Sequence, residues 1–238
     1  MTARQLIRSS AFPFAAFLLL GGAIYGLSPA SAAAPAPAPA PAPSDTAKPS
    51  AGIDAWQALT RMRLDLGAAG TLAANFTQTF VPAGFSTGDE ESGRVALDLP
   101  DCLRWDYASP YPKSYLLCGS ELHTWVTGEP QGERAHVEAR EEAGLDLLLL
   151  PVDRLKERYT AAAKAETGGR IAVELVPNAA PSRILEATLI FDRSTERPTS
   201  LAYRDRDGNR TDFRFAAFAL VDDDSLFTAP TNIVWQEP

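Results

Sequence analysis

The sequence has very few of the residues that usually bind metals or carry redox chemistry. Its 238 residues include two cysteines and two histidines. Cys102 and Cys118 are too far apart to form a C-x-x-C motif, and no G-x-G-x-x-G or P-loop pattern is present. We therefore expect no metal and no cofactor.

Basic side chains are also scarce. The chain has 22 Lys and Arg against 30 Asp and Glu, a net charge of -8. Arg4 and Arg8 lie in the N-terminal leader described next, which contains no acidic residue, so its removal would lower the net charge by two, to -10. This balance argues against nucleic acid as a partner and against attachment to an anionic membrane surface.

Only the N-terminus has a long hydrophobic run. Arg4 and Arg8 precede apolar residues 11–27, and Ala30-Ser31-Ala32 follows as a small-residue cleavage site. Residues 1–32 are predicted to be a cleaved secretory signal peptide, with an uncleaved membrane anchor as the alternative. Since no cysteine precedes Cys102, no N-terminal lipid anchor is expected, and the mature protein is predicted to be exported.

A proline-alanine tract follows the predicted signal peptide. Residues 33–50, "AAPAPAPAPAPSDTAKPS", lack the apolar residues that a core needs. They are predicted to be a disordered, extended linker. Residues 51–238 contain no second linker and no repeat, so they are predicted to be one domain.

The two cysteines are predicted to staple a hairpin. If Cys102 faces Cys118 across two antiparallel strands, Leu103 faces Leu117 and Trp105 faces Tyr115. The cysteines then lie on the face opposite Trp105. In an exported protein this register predicts a structural disulfide, with free thiols as the alternative.

Apolar periodicity predicts an α+β fold. Residues 52–67 have helical spacing, with Gly67 as a candidate C-cap. Later segments alternate with period two and are separated by turn residues, including "RDGNR" at 206–210. We predict a strongly curved antiparallel sheet of roughly ten strands, with one helix before it and a short helical insertion at 143–159.

Enzymatic and metal sites have weak support. Ser86 lies in "GFSTG", a G-x-S-x-G match, but an acidic loop and an alternating strand follow it where a nucleophile elbow needs a helix. Glu121 with His123, and His136 with Glu138, would share a strand face, which cross-strand ion pairs explain as well as a metal does. We expect a non-enzymatic protein.

Alternating apolar residues are predicted to form the inner face of the sheet. An ordinary core and a hydrophobic binding cavity both explain this pattern. The insertion is likewise either a fixed helix or a mobile lid. The predicted cavity residues are Phe76, Phe80, Val95, Leu97, Leu103, Trp105, Tyr107, Tyr115, Leu117 and Trp125, and the predicted lid residues are Leu145, Leu147, Leu148 and Leu150.

The order of short motifs resembles the family of the outer-membrane lipoprotein carrier LolA. "FTQTF", "SGRVALDLPDCLRWDYASP" and Gly119 fit its F-x-Q … G … P-x-x-x-x-W-x-x-x-x-P … G pattern, and "DGNRTDFRF" and "LFTAPTNIVW" are similar to its final hairpin and closing segment. The matching residues are Phe76, Gln78, Phe80, Pro100, Leu103, Trp105 and Pro110.

The resemblance implies a monomeric, non-catalytic carrier in the periplasm. Its expected fold is an open half-barrel sheet of about ten or eleven strands, covered by the N-terminal helix and a helical lid insertion. Its expected cargo is the acyl chains of lipoproteins or a related lipid. Its expected partners are an inner-membrane lipoprotein-releasing transporter and an outer-membrane acceptor. A lipid-binding sensor or another envelope lipid carrier of the same fold is the alternative. Leu99 departs from the family pattern, which has a lid-holding arginine immediately before the proline matched by Pro100.

Overall fold

The computed structural model describes residues 52–136, 147, 150–178 and 183–237. The predicted signal peptide and linker, and the lid residues Leu145 and Leu148, lie outside these residues. The described helices are α1 (Ala55–Ala68), α2 (Val152–Arg158) and a short 3-10 helix (Asp224–Phe227). The strands are β1 (Leu72–Val81), β2 (Asp89–Asp98), β3 (Cys102–Ser109), β4 (Lys113–Cys118), β5 (Glu121–Val126), β6 (Gln131–His136), β7 (Tyr159–Glu166), β8 (Arg170–Pro177), β9 (Ile184–Asp192), β10 (Pro198–Asp205), β11 (Arg210–Phe215), β12 (Ala219–Leu220) and β13 (Val234–Gln236).

Helix α1 begins at a side-chain cap and buries one apolar stripe. The Asp54 carboxylate accepts a hydrogen bond from the Gln57 backbone N–H at 2.9 Å, which satisfies one donor of the first turn. Leu59, Met62 and Leu66 are buried at 1–2% exposure. The C-cap prediction was wrong by a few residues: Gly67 is helical, and Gly70 adopts the left-handed conformation, with φ of 81°.

All thirteen strands belong to one open sheet. Its hydrogen-bonded order is β13-β6-β5-β4-β3-β2-β1-β11-β10-β9-β8-β7, with β12 paired to the start of β1. The order ends at β13 and β7, so the predicted open architecture is confirmed. Two details of the prediction were wrong: thirteen strands exceed the ten or eleven expected, and β13 runs parallel to β6, which makes the sheet mixed.

The described part of the predicted insertion is helical over Val152–Arg158. Its described helix, α2, buries Leu155 completely and ends where Tyr159 begins the edge strand β7. Helix α2 contacts both α1 and β7. The two helices therefore pack together beside the β7 edge of the sheet.

The stapled hairpin is confirmed in the predicted register. Leu103 faces Leu117 and Trp105 faces Tyr115 across β3 and β4. Cys102 and Cys118 face each other and form a disulfide, with their Cα atoms 4.3 Å apart. The turn between the strands contains Pro110, as the register requires.

Strand alternation defines two faces of the sheet. We call the face that bears Trp105 the inner face, and the face that bears the disulfide the outer face. On the outer face, Ala73 and Ala96 are buried beneath Leu226 of the C-terminal segment. On the β7–β11 half, outer residues such as Val176 and Leu185 are 50% and 44% exposed. The continuous buried layer of the sheet is therefore the inner face.

Candidate functional site

Aromatic rings from three strands meet at the centre of the inner face. The Phe76 ring centroid lies 5.0 Å from that of Tyr107, 6.3 Å from that of Trp105 and 6.0 Å from that of Phe213. The Trp105 and Phe213 centroids are 5.9 Å apart. All four side chains are at most 4% exposed. Since β1 lies between β2 and β11 in the sheet, Phe76 joins the two halves of this aromatic wall.

A row of leucines crosses one end of the same face. The strand registers align Leu72, Leu97, Leu103, Leu117 and Leu122 across β1 to β5. The first four are 2–3% exposed. This end of the inner face is therefore wholly apolar over five strands.

Most predicted cavity residues lie together on the inner face. Phe76, Val95, Leu97, Leu103, Trp105, Tyr107 and Leu117 are buried there, and Phe80 and Tyr115 are partly exposed. The assignment of Trp125 to this wall was wrong. Trp125 pairs with Ser114 and Gly132, so it lies on the outer face, where it lines a cleft of about 340 Å³ beside Pro230 and Ile233.

Half of the inner wall was missing from the predicted site. Across β8 to β11, the register aligns Val173, Leu189, Leu201 and Phe213 with Gln78 of β1. These four apolar side chains are 0–2% exposed. Their alternation was visible in "RIAVELV" and "RILEATLIFD", but the position of these strands next to β1 depends on long-range pairing.

The predicted lid segment packs inward where it is described. Leu147 and Leu150 are 1% and 7% exposed. Arg63 of α1 donates a hydrogen bond from Nη2 to the Leu147 carbonyl oxygen. This bond attaches the lid segment to α1.

Polar groups occupy the other end of the inner face. The Tyr107 hydroxyl donates to Gln78 Oε1 at 2.5 Å, and Lys113 Nζ lies 2.6 Å from Glu91 Oε1. Lys113 Nζ also lies 4.7 Å from the Tyr107 ring centroid. Burial raises the pKa of Tyr107 well above its ordinary value, with smaller contributions from Tyr115 and Glu91. The hydroxyl is therefore neutral and able to donate at ordinary pH.

The outer face of the hairpin holds the C-terminal segment. Arg104 donates to both Asp106 carboxylate oxygens at 3.0 and 2.8 Å and to the Leu226 carbonyl oxygen at 2.8 Å. The Arg104 guanidinium lies 5.4 Å from the Trp125 ring centroid, and the rings of Trp125 and Trp235 are 6.0 Å apart. These contacts are structural, and the disulfide lies among them.

The other candidate residues do not assemble into a catalytic or metal arrangement. Ser86 lies in an exposed bend between β1 and β2, and the residues after it form a strand. His123 Nε2 is 3.3 Å from Glu121 Oε1, and the His123 ring packs on Trp235 at 4.6 Å, whereas His136 is exposed. Glu138 lies outside the described residues. Within the described ranges, no three His, Cys, Asp or Glu side chains are grouped closely enough to bind a metal.

A family model described as "Outer membrane lipoprotein carrier protein LolA" matches residues 68–229. The chain belongs to the LolA family. An outer-membrane lipoprotein carrier protein from Dechloromonas aromatica is 26% identical to it over 149 residues, which cover 61% of this chain and 69% of that relative.

A solved structure from Thermus thermophilus shares the fold of this LolA-family chain. An uncharacterized conserved protein from Thermus thermophilus superposes with a TM-score of 0.52 at 13% identity, covering 77% of this chain and 99% of the other. A LolA superfamily protein from Nitrosomonas europaea gives a TM-score of 0.42 at 10% identity, with coverages of 73% and 97%. Identities this low concern the fold alone.

The residues that carry the LolA pattern lie on or beside the inner wall. Phe76, Leu103 and Trp105 are part of it, Gln78 accepts the Tyr107 hydrogen bond, and Pro100 and Pro110 lie in the turns at the two ends of β3. Leu99 precedes Pro100, and its carbonyl oxygen would lie 3.4 Å from a Cβ added at Gly67, near the end of α1. In the described residues, the hydrogen bond to the lid segment is donated by Arg63 of α1, and not by a side chain at position 99. Among the described residues, no helix is long and apolar enough to cross a membrane.

Proposed function

We propose that this chain is a periplasmic carrier that binds the acyl chains of lipoproteins, or of a related lipid, and moves them toward the outer membrane. The chains would lie between the inner face of the sheet and the lid segment. The observation that carries this proposal is the continuous apolar inner wall of an open sheet, in a chain of the LolA family.

An open sheet suits this task because its strands do not close into a barrel around the inner face. The helices and the lid segment would cover the wall, and their displacement would break no strand pair. Acyl chains would replace the apolar contacts that the lid gives up, so loading exchanges one buried apolar surface for another. The bound state then costs little desolvation of polar groups.

The proposed partners follow from the carrier role. An inner-membrane transporter would supply the acylated cargo, and an outer-membrane acceptor would receive it. We propose that the carrier works as a monomer. Fractionation of cells for the mature protein, and co-purification with an inner-membrane transporter after crosslinking, test the location and the hand-over.

Two tryptophans on opposite faces of the sheet offer a direct test of the binding surface. Trp105 belongs to the inner wall, and Trp125 lies on the outer face. The chain has four tryptophans, so Trp→Phe substitutions at the other three positions leave either Trp105 or Trp125 as the single fluorophore. Acylated cargo with brominated acyl chains quenches a tryptophan that it touches.

We expect strong quenching of Trp105 and little quenching of Trp125. Unbrominated cargo is the control for indirect changes in fluorescence. Equal quenching of the two tryptophans would place the cargo elsewhere, and the absence of any bound lipid in native mass spectrometry after loading would refute the carrier function itself.

We further propose that the chain acts without catalysis. Ser86 is exposed in a loop between β1 and β2. His123 instead contacts Glu121 and Trp235, and His136 pairs with Glu121 across β5 and β6. A fluorophosphonate probe should leave Ser86 unlabelled. Labelling that disappears in Ser86→Ala would support an esterase instead.

A further inference from the structure

The inner face becomes more polar along the direction of strands β1 to β4, although Phe80 lies beyond Gln78 on β1. The leucine row at one end is followed by Val95 and Trp105, then by Tyr107 beside Lys113, and on β1 and β2 by Gln78 beside Glu91. Six residues separate Leu72 from Gln78 along β1, a distance of about 20 Å. We call the polar end the polar rim. It comprises Gln78, Glu91, Tyr107, Lys113, Tyr115, Tyr203 and Thr211.

The polar rim is buried within the protein. Gln78 and Thr211 are each 2% exposed, Tyr107 is 3% exposed and Tyr203 is 5% exposed. The Glu91 and Lys113 side chains retain 16% and 12% exposure. The four buried groups therefore face the covered interior, where an amphiphile would lie. Glu91, Lys113 and Tyr115 are the partly exposed members of the rim.

Stability alone does not account for this polarity. Replacing a buried ion pair with packed apolar residues is often neutral or stabilising, and a neutral buried hydrogen bond contributes little net stability. Most of the remaining inner wall is apolar, with Leu, Val, Phe, Trp and Ala side chains, so an apolar rim was available to this fold. A polar rim becomes useful when the ligand itself has a polar end.

The chemistry of the rim favours a neutral hydrogen-bond acceptor. The pKa values of Tyr107 and Tyr115 are raised mainly by burial, so both hydroxyls keep their protons, and Tyr107 donates its proton to Gln78 Oε1. The Gln78 side chain adds an amide N–H₂ group, which is a donor. Glu91 and Lys113 neutralise each other at 2.6 Å, so the rim gives no unpaired charge to a charged headgroup.

We propose that the polar rim recognises the ester or amide carbonyl groups through which acyl chains are attached to the cargo. The acyl chains would then run along the strands toward the leucine row, with their attachment points at the rim. This inference rests on the proposed carrier function and adds the orientation and the linkage chemistry of the ligand.

An ester lipid and its ether analogue separate this idea from simple hydrophobic binding. Dipalmitoylglycerol and the matching dialkyl-ether glycerol have similar apolar bulk, but only the ester has carbonyl oxygens. Affinities are measured by displacement of a fluorescent fatty acid from the full-length mature protein. We expect the wild type to bind the ester about tenfold more tightly, as one or two additional hydrogen bonds allow.

The decisive variant is Gln78→Leu/Tyr107→Phe, which removes the buried pair together and leaves no donor or acceptor of that pair unsatisfied. It should bind both lipids with the affinity that the wild type has for the ether. Tyr111→Phe is the matched control, since Tyr111 lies in the β3–β4 turn next to this end of the sheet and is 62% exposed. It should retain the full ester preference. If the double variant does not fold, Tyr107→Phe replaces it under the same criterion.

The outcomes separate the two proposals. Equal binding of ester and ether by the wild type, or an unchanged ester preference in the variant, overturns the role of the rim while the carrier function stands. Failure of the wild type to bind either lipid or the fluorescent fatty acid overturns the carrier function as well.

Discussion

Removal of the disulfide is expected to lower the free energy of unfolding by about 3 kcal/mol. The bridge joins residues separated by 16 positions, and closing a loop of this size restricts the unfolded chain by roughly that amount. In the folded state, the hairpin keeps other links between β3 and β4, including the Ser114 hydroxyl, which donates to Asp106 at 2.6 Å. The folded hairpin should therefore survive without the bridge, and the loss should come from the unfolded state.

The double variant Cys102→Ala/Cys118→Ala allows the measurement without free thiols. Urea denaturation gives the change in free energy of unfolding, and calorimetry gives the change in Tm. For a domain of this size, each kcal/mol shifts Tm by about 2–4 °C, so the expected decrease is about 6–12 °C. Because both cysteines lie on the outer face, the affinity for lipid is expected to remain unchanged.

Reduced wild-type protein is the control for the substitutions themselves. The Cys118 sulfur lies 4.0 Å from the Phe227 carbonyl oxygen, so alanine removes a small contact besides the bridge. Reduced protein and the double variant should have closely similar stabilities. A loss below about 1 kcal/mol would refute the loop-closure reasoning, and a severalfold loss of lipid affinity would refute the separation of the two faces.

Three further perturbations test individual contacts. Arg63→Met keeps an apolar stem but removes the donor to the Leu147 carbonyl, so hydrogen exchange should rise at residues 147 and 150–155; unchanged exchange would show that this bond does not hold the segment. Gly93→Ala would place a Cβ 2.0 Å from the Asp106 carbonyl oxygen and should cost at least about 2 kcal/mol in urea denaturation, whereas Gly52→Ala, with open space around it, should cost less than about 0.5 kcal/mol. Burial raises the pKa of Tyr203 from its ordinary value of 10.0 to about 12, so the unfolded state ionises first and stability should fall as the pH rises from 10 to 12; Tyr203→Phe should flatten that loss, and an equally steep loss would contradict the assignment.

Local pairing was predictable from the sequence because its register is determined by a short turn. The positions of Cys102 and Cys118 define every partner in the β3–β4 hairpin, and Trp105 opposite Tyr115 follows from them. The helical stripe of α1 was equally local. The resemblance to the LolA family predicted that the sheet is open. Alternation of apolar residues alone does not determine whether a sheet is open or closed.

The edge strands β7 and β13 could not be predicted from local sequence, because their residues give little signal of a strand. Strand β7 contains "TAAAKAE", and alanine, lysine and glutamate favour helix over strand. Its pairing with the strongly apolar β8 overrides that preference. Strand β13 has only three residues, and its parallel pairing with β6 joins segments that are far apart in sequence.

Trp125 shows why residue type does not determine the face of a strand. A large aromatic residue among apolar strands suggested the inner wall, but the register that begins at the disulfide pairs Ser114 with Trp125 and Tyr115 with Thr124. The inner face of β5 therefore carries Leu122, Thr124 and Val126, while Trp125 packs with Arg104 and Trp235 beneath the C-terminal segment. A one-residue shift in register moves every side chain of a strand to the other face. The register was correctly inferred for β3 and β4. Extending it to β5 would have excluded Trp125 from the site.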